Sequence, residues 1–265
     1  MQKYNVIILA GGRAPWLQAV AGTDVRCLAR LQKRRIIDYL VDALRSSGRV
    51  EKILVAAPSG VETQWPEGVD YCEADADLPS TASRAVAALG EDGKILVVCD
   101  DIPLLQGEDV EDFLQQCETN PGASLYYPII SREDCQKRYP EGQRTYARIK
   151  EGVFTGGNMM LIDGSVIAQV EQKAREIFMR RKNPLALCKW LGFGFIIKFL
   201  LHCLTKAELE ERVSYLLEFP CKGIISSYPA IGMDIDKMAD WQLAEKYLSG
   251  AEQQRMRKEG EHGKS

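Results

Sequence analysis

Histidine is almost missing from this 265-residue chain: there are only two, His202 inside an apolar stretch and His262 in a polar tail. A Ser-His-Asp or Cys-His nucleophilic site, or a His-rich zinc site, would therefore have to rest on His202 alone, and the residue's apolar surroundings read most simply as a core position. Cys-x-x-Cys pairs are missing as well. The eight cysteines are scattered along the chain, which is the pattern of reduced, mostly buried thiols in a cytoplasmic protein. No apolar run is long enough to span a bilayer. The longest, Trp190 to Leu201, is interrupted by Lys198 and falls well short of the ~20 residues required. The apolar Val6–Ala10 run is likewise too short for the core of an export signal. Finally, neither sign of charge dominates. Thirty-four Lys and Arg face 37 Asp and Glu, a net charge of −3, so the chain has no global field for wrapping nucleic acid. What remains is chemistry by carboxylates, arginines and backbone amides.

The first half alternates short apolar runs with amphipathic segments. Val6–Ala10, Ile53–Ala57 and Lys94–Cys99 read as strands buried on both faces. Ile36, Ile37, Leu40, Val41 and Leu44 repeat at helical spacing, and Gly48 falls where a helix would end. Ser80–Leu89 reads as a helix with Ser80 or Thr81 as its N-cap, Val110, Phe113, Leu114 and Cys117 as another helical face, and Ser124–Tyr127 as a strand. Strands alternating with helices predict an α/β fold, a mostly parallel sheet covered on both faces. The second half is less regular: strands at Tyr146–Ile149, Phe154 and Met159–Ile162, a helix over about 165–180, a capping box at Thr205 and Glu208, a strand at Ile224–Ile225, and a last helix through Trp241 and Leu248. The pattern predicts one domain over 1–248, with no linker that divides it. A polar tail over 249–265 is expected to be flexible.

Four segments could carry chemistry. Leu9-Ala10-Gly11-Gly12-Arg13 follows the first strand, where glycines let backbone N–H groups approach a phosphate; a plain tight turn is the alternative. Arg26, Arg30, Lys33, Arg34 and Arg35 form a basic cluster, of which one or two could neutralise a triphosphate while the rest form a solvated face. Asp100-Asp101 surfaces at the end of the third buried strand, placed either to hold Mg2+ or to cap the turn at Pro103. Asp234-Ile235-Asp236 follows the last strand, with Asp236 open to a metal role, an N-cap role, or both.

Taken in order and spacing, Leu9-Ala10-Gly11-Gly12, Arg26-Cys27-Leu28-Ala29-Arg30-Leu31 with Ile36-Ile37-Asp38-Tyr39, Asp101-Ile102-Pro103-Leu104 and Asp234-Ile235-Asp236 resemble the MobA-like nucleotidyltransferases. Phe154-Thr155-Gly156-Gly157-Asn158 is similar to their acceptor-side segment. The resemblance implies a Rossmann-like three-layer α/β/α fold of the glycosyltransferase-A type, with a nucleotide-binding half over about 1–120 and an acceptor-binding half over about 121–248. It also implies an NTP and Mg2+ as ligands, and a phosphorylated acceptor that attacks the α-phosphorus and releases pyrophosphate. On this reading Leu9, Ala10, Gly11, Gly12 and Arg13 hold the nucleotide. Asp101 and Asp236 hold the metal, Arg26 supplies the catalytic cation, and Arg144, Thr145, Gly157 and Asn158 face the acceptor.

The sequence departs from the family in two places. The loop continues Arg13-Ala14-Pro15-Trp16 where a further Gly and an Arg are usual, and Arg26 stands where a Lys is common, so a remodelled loop is expected. Two other functions fit the same residues: a glycosyltransferase using Asp234-x-Asp236 to hold a nucleotide-sugar, and a non-catalytic nucleotide-binding or scaffolding protein. The apolar 190–204 region is expected to be a buried helix pair, with a dimer interface or a membrane-surface patch as alternatives.

Overall fold

The computed structural model describes residues 1–61, 65–167, 171 and 192–262. Its centre is a nine-stranded sheet. Strand β1 (Tyr4–Leu9) is the middle strand of the chain's first half. An antiparallel ribbon of two short strands, β2 (Arg30–Leu31) and β3 (Arg34–Arg35), precedes the first long helix. Strand β4 (Val50–Ala57) lies parallel on one side of β1, with β5 (Asp70–Glu73) parallel beyond it, and β6 (Lys94–Cys99) lies parallel on the other side.

The second half supplies β7 (Leu125–Ser131), β8 (Ala147–Ile149), β9 (Gly152–Gly156), β10 (Met159–Asp163) and β11 (Cys221–Ser226). Strand β10 runs antiparallel between β6 and β7, β9 pairs further along β7, and β11 runs parallel on the other edge of β7. The parallel α/β reading therefore holds, with β8, β9 and β10 as its antiparallel part.

Apolar alternation sends the faces of β1 to different layers. Val6 and Ile8 pack with Ile37, Leu40 and Leu44 of α2 (Ile36–Ser46) and with Val110, Phe113 and Leu114 of α4 (Gly107–Thr119). Ile7 and Leu9 pack on the opposite face with Ala85 and Val86 of α3 (Leu78–Leu89). The short α1 (Leu17–Ala21) and the last helix meet in a third cluster that includes Leu17, Leu31, Ile235 and Trp241. After α5 (Arg132–Arg138) come α6 (Phe193–Leu200), α7 (Lys206–Leu217) and α8 (Met238–His262).

Several local expectations are met. Gly48 follows the last turn of α2 with φ +68, the left-handed position that favours glycine, and Thr205 and Glu208 form their capping box on α7. Seven of the eight cysteines lie among the described residues, all as free thiols. Others are corrected. Helix α3 starts two residues before Ser80, because Asp77 is its N-cap and accepts from the Ser80 amide at 2.9 Å. Asp236 does not cap α8. The Asp240 carboxylate accepts instead from the amides of Asp236 and Lys237, both at 3.1 Å. His202 is exposed and sits at φ +54 in the turn after α6, so it is no core histidine. Leu200 and Leu201 are 61% and 69% exposed, which overturns the buried helix pair for the described part of 190–204. The expected helix over 165–180 and Trp190 lie largely or wholly outside the described residues. The backbone of the tail is helical to His262.

Candidate active site

In an open α/β sheet, ligands bind beyond the carboxyl ends of the strands where the strand order reverses. Here the reversal falls between β1 and β6, since the chain leaves β1 toward β4 and returns to β6 on the far side. Leu9 pairs with both Ala56 and Cys99, so the register sets the loop after β1 beside the loop after β6.

The loop after β1 is short of bonding partners. The Ala10 amide donates to the Ala56 carbonyl at 2.8 Å, but among the described residues nothing accepts from the amides of Gly11 or Gly12. From Gly12 the chain folds into a narrow ribbon, with the Arg26 amide on the Gly12 carbonyl at 3.1 Å and the Ala14 amide on the Asp24 carbonyl at 2.8 Å. The departure at Arg13–Trp16 has a packing reason. Ala14 and Leu17 are buried and Trp16 meets Trp241 edge-on at 6.2 Å, so the loop is anchored to α8. Arg13 points outward and pairs with Asp24 at 2.8 Å.

The ribbon delivers Arg26. Its guanidinium lies on the Gly12 backbone, 3.4 Å from where a Cβ would be, and its Nη1 bonds Asp101 while standing 3.8 Å from Asp236. The other basic residues are spent elsewhere: Arg34 pairs with Asp42, Arg35 pairs with Asp38 at 2.6 Å, and Arg30 bonds the Lys33 carbonyl. One of the five cations thus reaches the strand ends.

Asp100 and Asp101 are 3% and 8% exposed. Burial, reinforced by the Asp101 charge, pushes the Asp100 carboxyl up to about 8. Burial also raises Asp101, against the pull of Arg26 and with a further push from Asp236. Asp101 Oδ1, Asp100 Oδ2 and Arg26 Nε are buried without a hydrogen-bond partner among the described residues. Unmet polar atoms of this kind cost ~1–3 kcal/mol each, a cost that a ligand supplying the missing bonds would remove.

Asp234 and Asp236 reach the same place because the residue between them is apolar. Ile235 is buried in the third core cluster, and its amide donates to the Asp101 carbonyl at 2.9 Å. That bond ties the loop after β11 to the loop after β6. Oxygens of Asp101, Asp234 and Asp236 then all lie within 4.8 Å of one another. Arg144 is drawn in too, paired with Asp234 and largely buried.

Sequence reasoning assigned Asp101, Asp236 and Arg26 to one centre, and the structure brings them together. It had not placed Asp234 in the metal set or Arg144 against it. The alternation Asp-Ile-Asp carries the first signal, since one buried apolar residue turns both neighbours toward the same side. Of the other acceptor residues, Thr145 is exposed. Gly157 is packed so closely that a Cβ would meet Ile231 at 2.7 Å and Pro128 at 2.8 Å. The Asn158 backbone amide donates to the Ile231 carbonyl at 2.9 Å, while its side-chain Nδ2 is buried without a partner among the described residues.

Comparison with known proteins agrees with this geometry. The model of the MobA-like NTP transferase domain matches residues 6–181. A hypothetical transferase from Thermus thermophilus superposes with a TM-score of 0.79 at 30% identity, covering 91% of this chain and all of that one. The 2-C-methyl-D-erythritol 4-phosphate cytidylyltransferase from the same organism superposes with a TM-score of 0.58 at 16% identity, over 93% of this chain and 98% of that one, a likeness of fold. In sequence, the bifunctional protein GlmU of Thermodesulfovibrio yellowstonii is 27% identical over 225 residues, covering 83% of this chain. The chain spans only 42% of the length of that relative. These neighbours share the glycosyltransferase-A-like architecture expected from the sequence.

Proposed function

Because the chain belongs to the MobA-like NTP transferase family, we propose that it moves a nucleoside monophosphate from an NTP to a phosphorylated small-molecule acceptor and releases pyrophosphate. The observation that carries this reading is the meeting of Asp101, Asp234 and Asp236 with Arg26 beside the amides of Gly11 and Gly12, which have no acceptor among the described residues.

The resemblance implies a divalent cation, and the residues fit one. Three carboxylates are a hard-oxygen donor set suited to Mg2+, and Asp101 offers a buried oxygen with no hydrogen-bond partner among the described residues. Asp101 and Asp236 would hold the ion, with Asp234 beside them, and when bound it would neutralise charge on the phosphates.

The rest falls to the chain's own groups. The Gly11 and Gly12 amides donate to phosphate oxygens, and Arg26 neutralises the pyrophosphate as it leaves. Arg144 pairs with the acceptor phosphate by exchanging Asp234 for it, a paired geometry that guanidinium favours. An acceptor oxygen forms a bond to the α-phosphorus while the bond from that phosphorus to the bridging oxygen breaks, and the electron pair departs with pyrophosphate. An ionised acceptor phosphate has no proton to give up, so positioning and charge neutralisation suffice. That agrees with a site built without histidine.

The test is a pyrophosphate-release screen of the four NTPs against sugar phosphates, polyol phosphates and phosphorylated cofactor precursors, with Mg2+. Release with one pairing, abolished in Asp101→Asn while the fold is kept, is the expected result. Sugar transfer from a nucleotide-sugar without pyrophosphate would identify a glycosyltransferase. Absence of any Mg2+-dependent stabilisation by NTP would identify a scaffold.

A further inference from the structure

The carboxylates of the candidate metal centre are already matched by cations of the chain's own. Arg26 bonds Asp101 through Nη1 and stands 3.8 Å from Asp236, and Arg144 pairs with Asp234. Two guanidinium groups therefore cover oxygens that a divalent ion would need. Both are largely enclosed, with side chains 16% and 13% exposed. A metal ion entering alone would part each arginine from its carboxylate and lie beside two guanidinium groups left without a counter-charge. Stranding a buried charge in this way is strongly unfavourable.

The bonds that the two arginines do not make point to what releases them. Nε of Arg26 and Nε of Arg144 are both buried without a hydrogen-bond partner among the described residues. Each guanidinium thus has a donor to spare, and a phosphate can accept two parallel bonds from one guanidinium. Arg26 also lies against the Gly12 backbone, beside the Gly11 and Gly12 amides that have no acceptor among the described residues. A triphosphate on that loop would meet the amides and the guanidinium together. It would replace for Arg26 the counter-charge given up at Asp101, and the freed carboxylate would turn to the metal.

We propose that Arg26 and Arg144 are resident counter-ions that keep free divalent metal out of the Asp101–Asp234–Asp236 centre, which admits the ion only when a triphosphate takes over Arg26. This order of entry rests on the reading that the carboxylates hold a metal beside an NTP. It reverses the usual expectation for a residue of the site, since removing Arg26 should strengthen the binding of metal alone.

Titration of the full chain with Mn2+ alone, with the free ion counted by electron paramagnetic resonance, tests this. Arg26→Gln should bind Mn2+ about tenfold or more tightly than the unaltered chain, and Asp101→Asn added to it should take the gain away. Arg13→Gln removes the same charge from an exposed pair with Asp24, where salt screens it, and should change the affinity by less than about twofold. Should Arg26→Gln fail to fold, Arg144→Gln reads the same exchange at Asp234. In the unaltered chain, Mg2+ and NTP together should raise Tm while Mg2+ alone does not. Equal Mn2+ affinity in the unaltered chain and both arginine variants, with the joint rise retained, would overturn this proposal and leave the transferase reading standing. No Mn2+ bound by any form, and no joint rise, would overturn both.

Discussion

The site has two arms that share carboxylate chemistry and differ in how firmly they are held. The inner arm, Asp100 and Asp101, sits at the end of a strand bonded on both sides, and both residues are almost fully buried. The outer arm, Asp234 and Asp236, is carried by a loop whose described tether to the inner arm is the Ile235 amide, and the Asp236 side chain is 57% exposed. A buried, backbone-fixed carboxylate keeps its position whether or not a ligand is bound. An exposed one can adjust to the ligand at little cost. On the proposed function, the division of labour is a rigid inner arm that would fix the metal and triphosphate and an outer arm that would complete the metal's ligands while adjusting to the acceptor.

The sharpest way to break this contrast is to neutralise one arm at a time. Asp101→Asn should lower turnover by about 10²–10³-fold, the size seen when a preorganised electrostatic group is removed, with the far-ultraviolet spectrum unchanged. Asp236→Asn should cost about 10–100-fold and fall more on the acceptor KM than on the NTP KM. Equal losses in the two variants, with the same division between KM and kcat, would erase the distinction between the arms.

Gly12→Ala probes the inner arm without touching a charge. The added methyl would stand in ordinary contact with the Arg26 guanidinium at 3.4 Å, so the fold should tolerate it and Tm should hold. NTP binding should nonetheless weaken by about tenfold, because the methyl stands where a phosphate must approach the loop. A fall in Tm that matches the loss of binding would point to packing instead.

A third buried acid, away from both arms, shows what burial does by itself. Asp109, in the first turn of α4, accepts from the Gln106 amide at 2.8 Å, yet burial pushes its carboxyl up to about 6. Between about pH 4 and pH 6 the unfolded chain has released a proton that the folded chain keeps. Stability should therefore fall as pH rises through that window and level off above it. Asp109→Asn should remove this contribution, at most roughly 3 kcal/mol for a shift of two pH units, read from urea midpoints at pH 4, 5, 6 and 7. Identical slopes for variant and unaltered chain would contradict it.

Much of this was legible in the sequence, for reasons that differ by element. Val6–Ala10 and Lys94–Cys99 announce themselves because a strand buried on both faces needs an unbroken apolar run, and their ends then locate Gly11 and Asp101. Helix α2 announces itself through an apolar stripe that does face the core. The same kind of signal misled for α6. An apolar stretch shows that a surface avoids water, but not whether the protein itself provides the cover. His202 went astray with it. Arg144 against Asp234 could not be read at all, since that contact joins residues 90 apart and depends on the loop after β11 being drawn in by the Ile235 amide. The cap of α3 was missed because Asp77 and Ser80 are both good capping residues, and geometry rather than residue type chooses between them.

If the inner arm fixes a metal-bound triphosphate, thermal unfolding with and without Mg2+ and NTP must show it. Mg2+ and one NTP together should raise Tm, Asp101→Asn should abolish the rise, and Asp236→Asn should keep part of it. An unaltered rise in Asp101→Asn would contradict it.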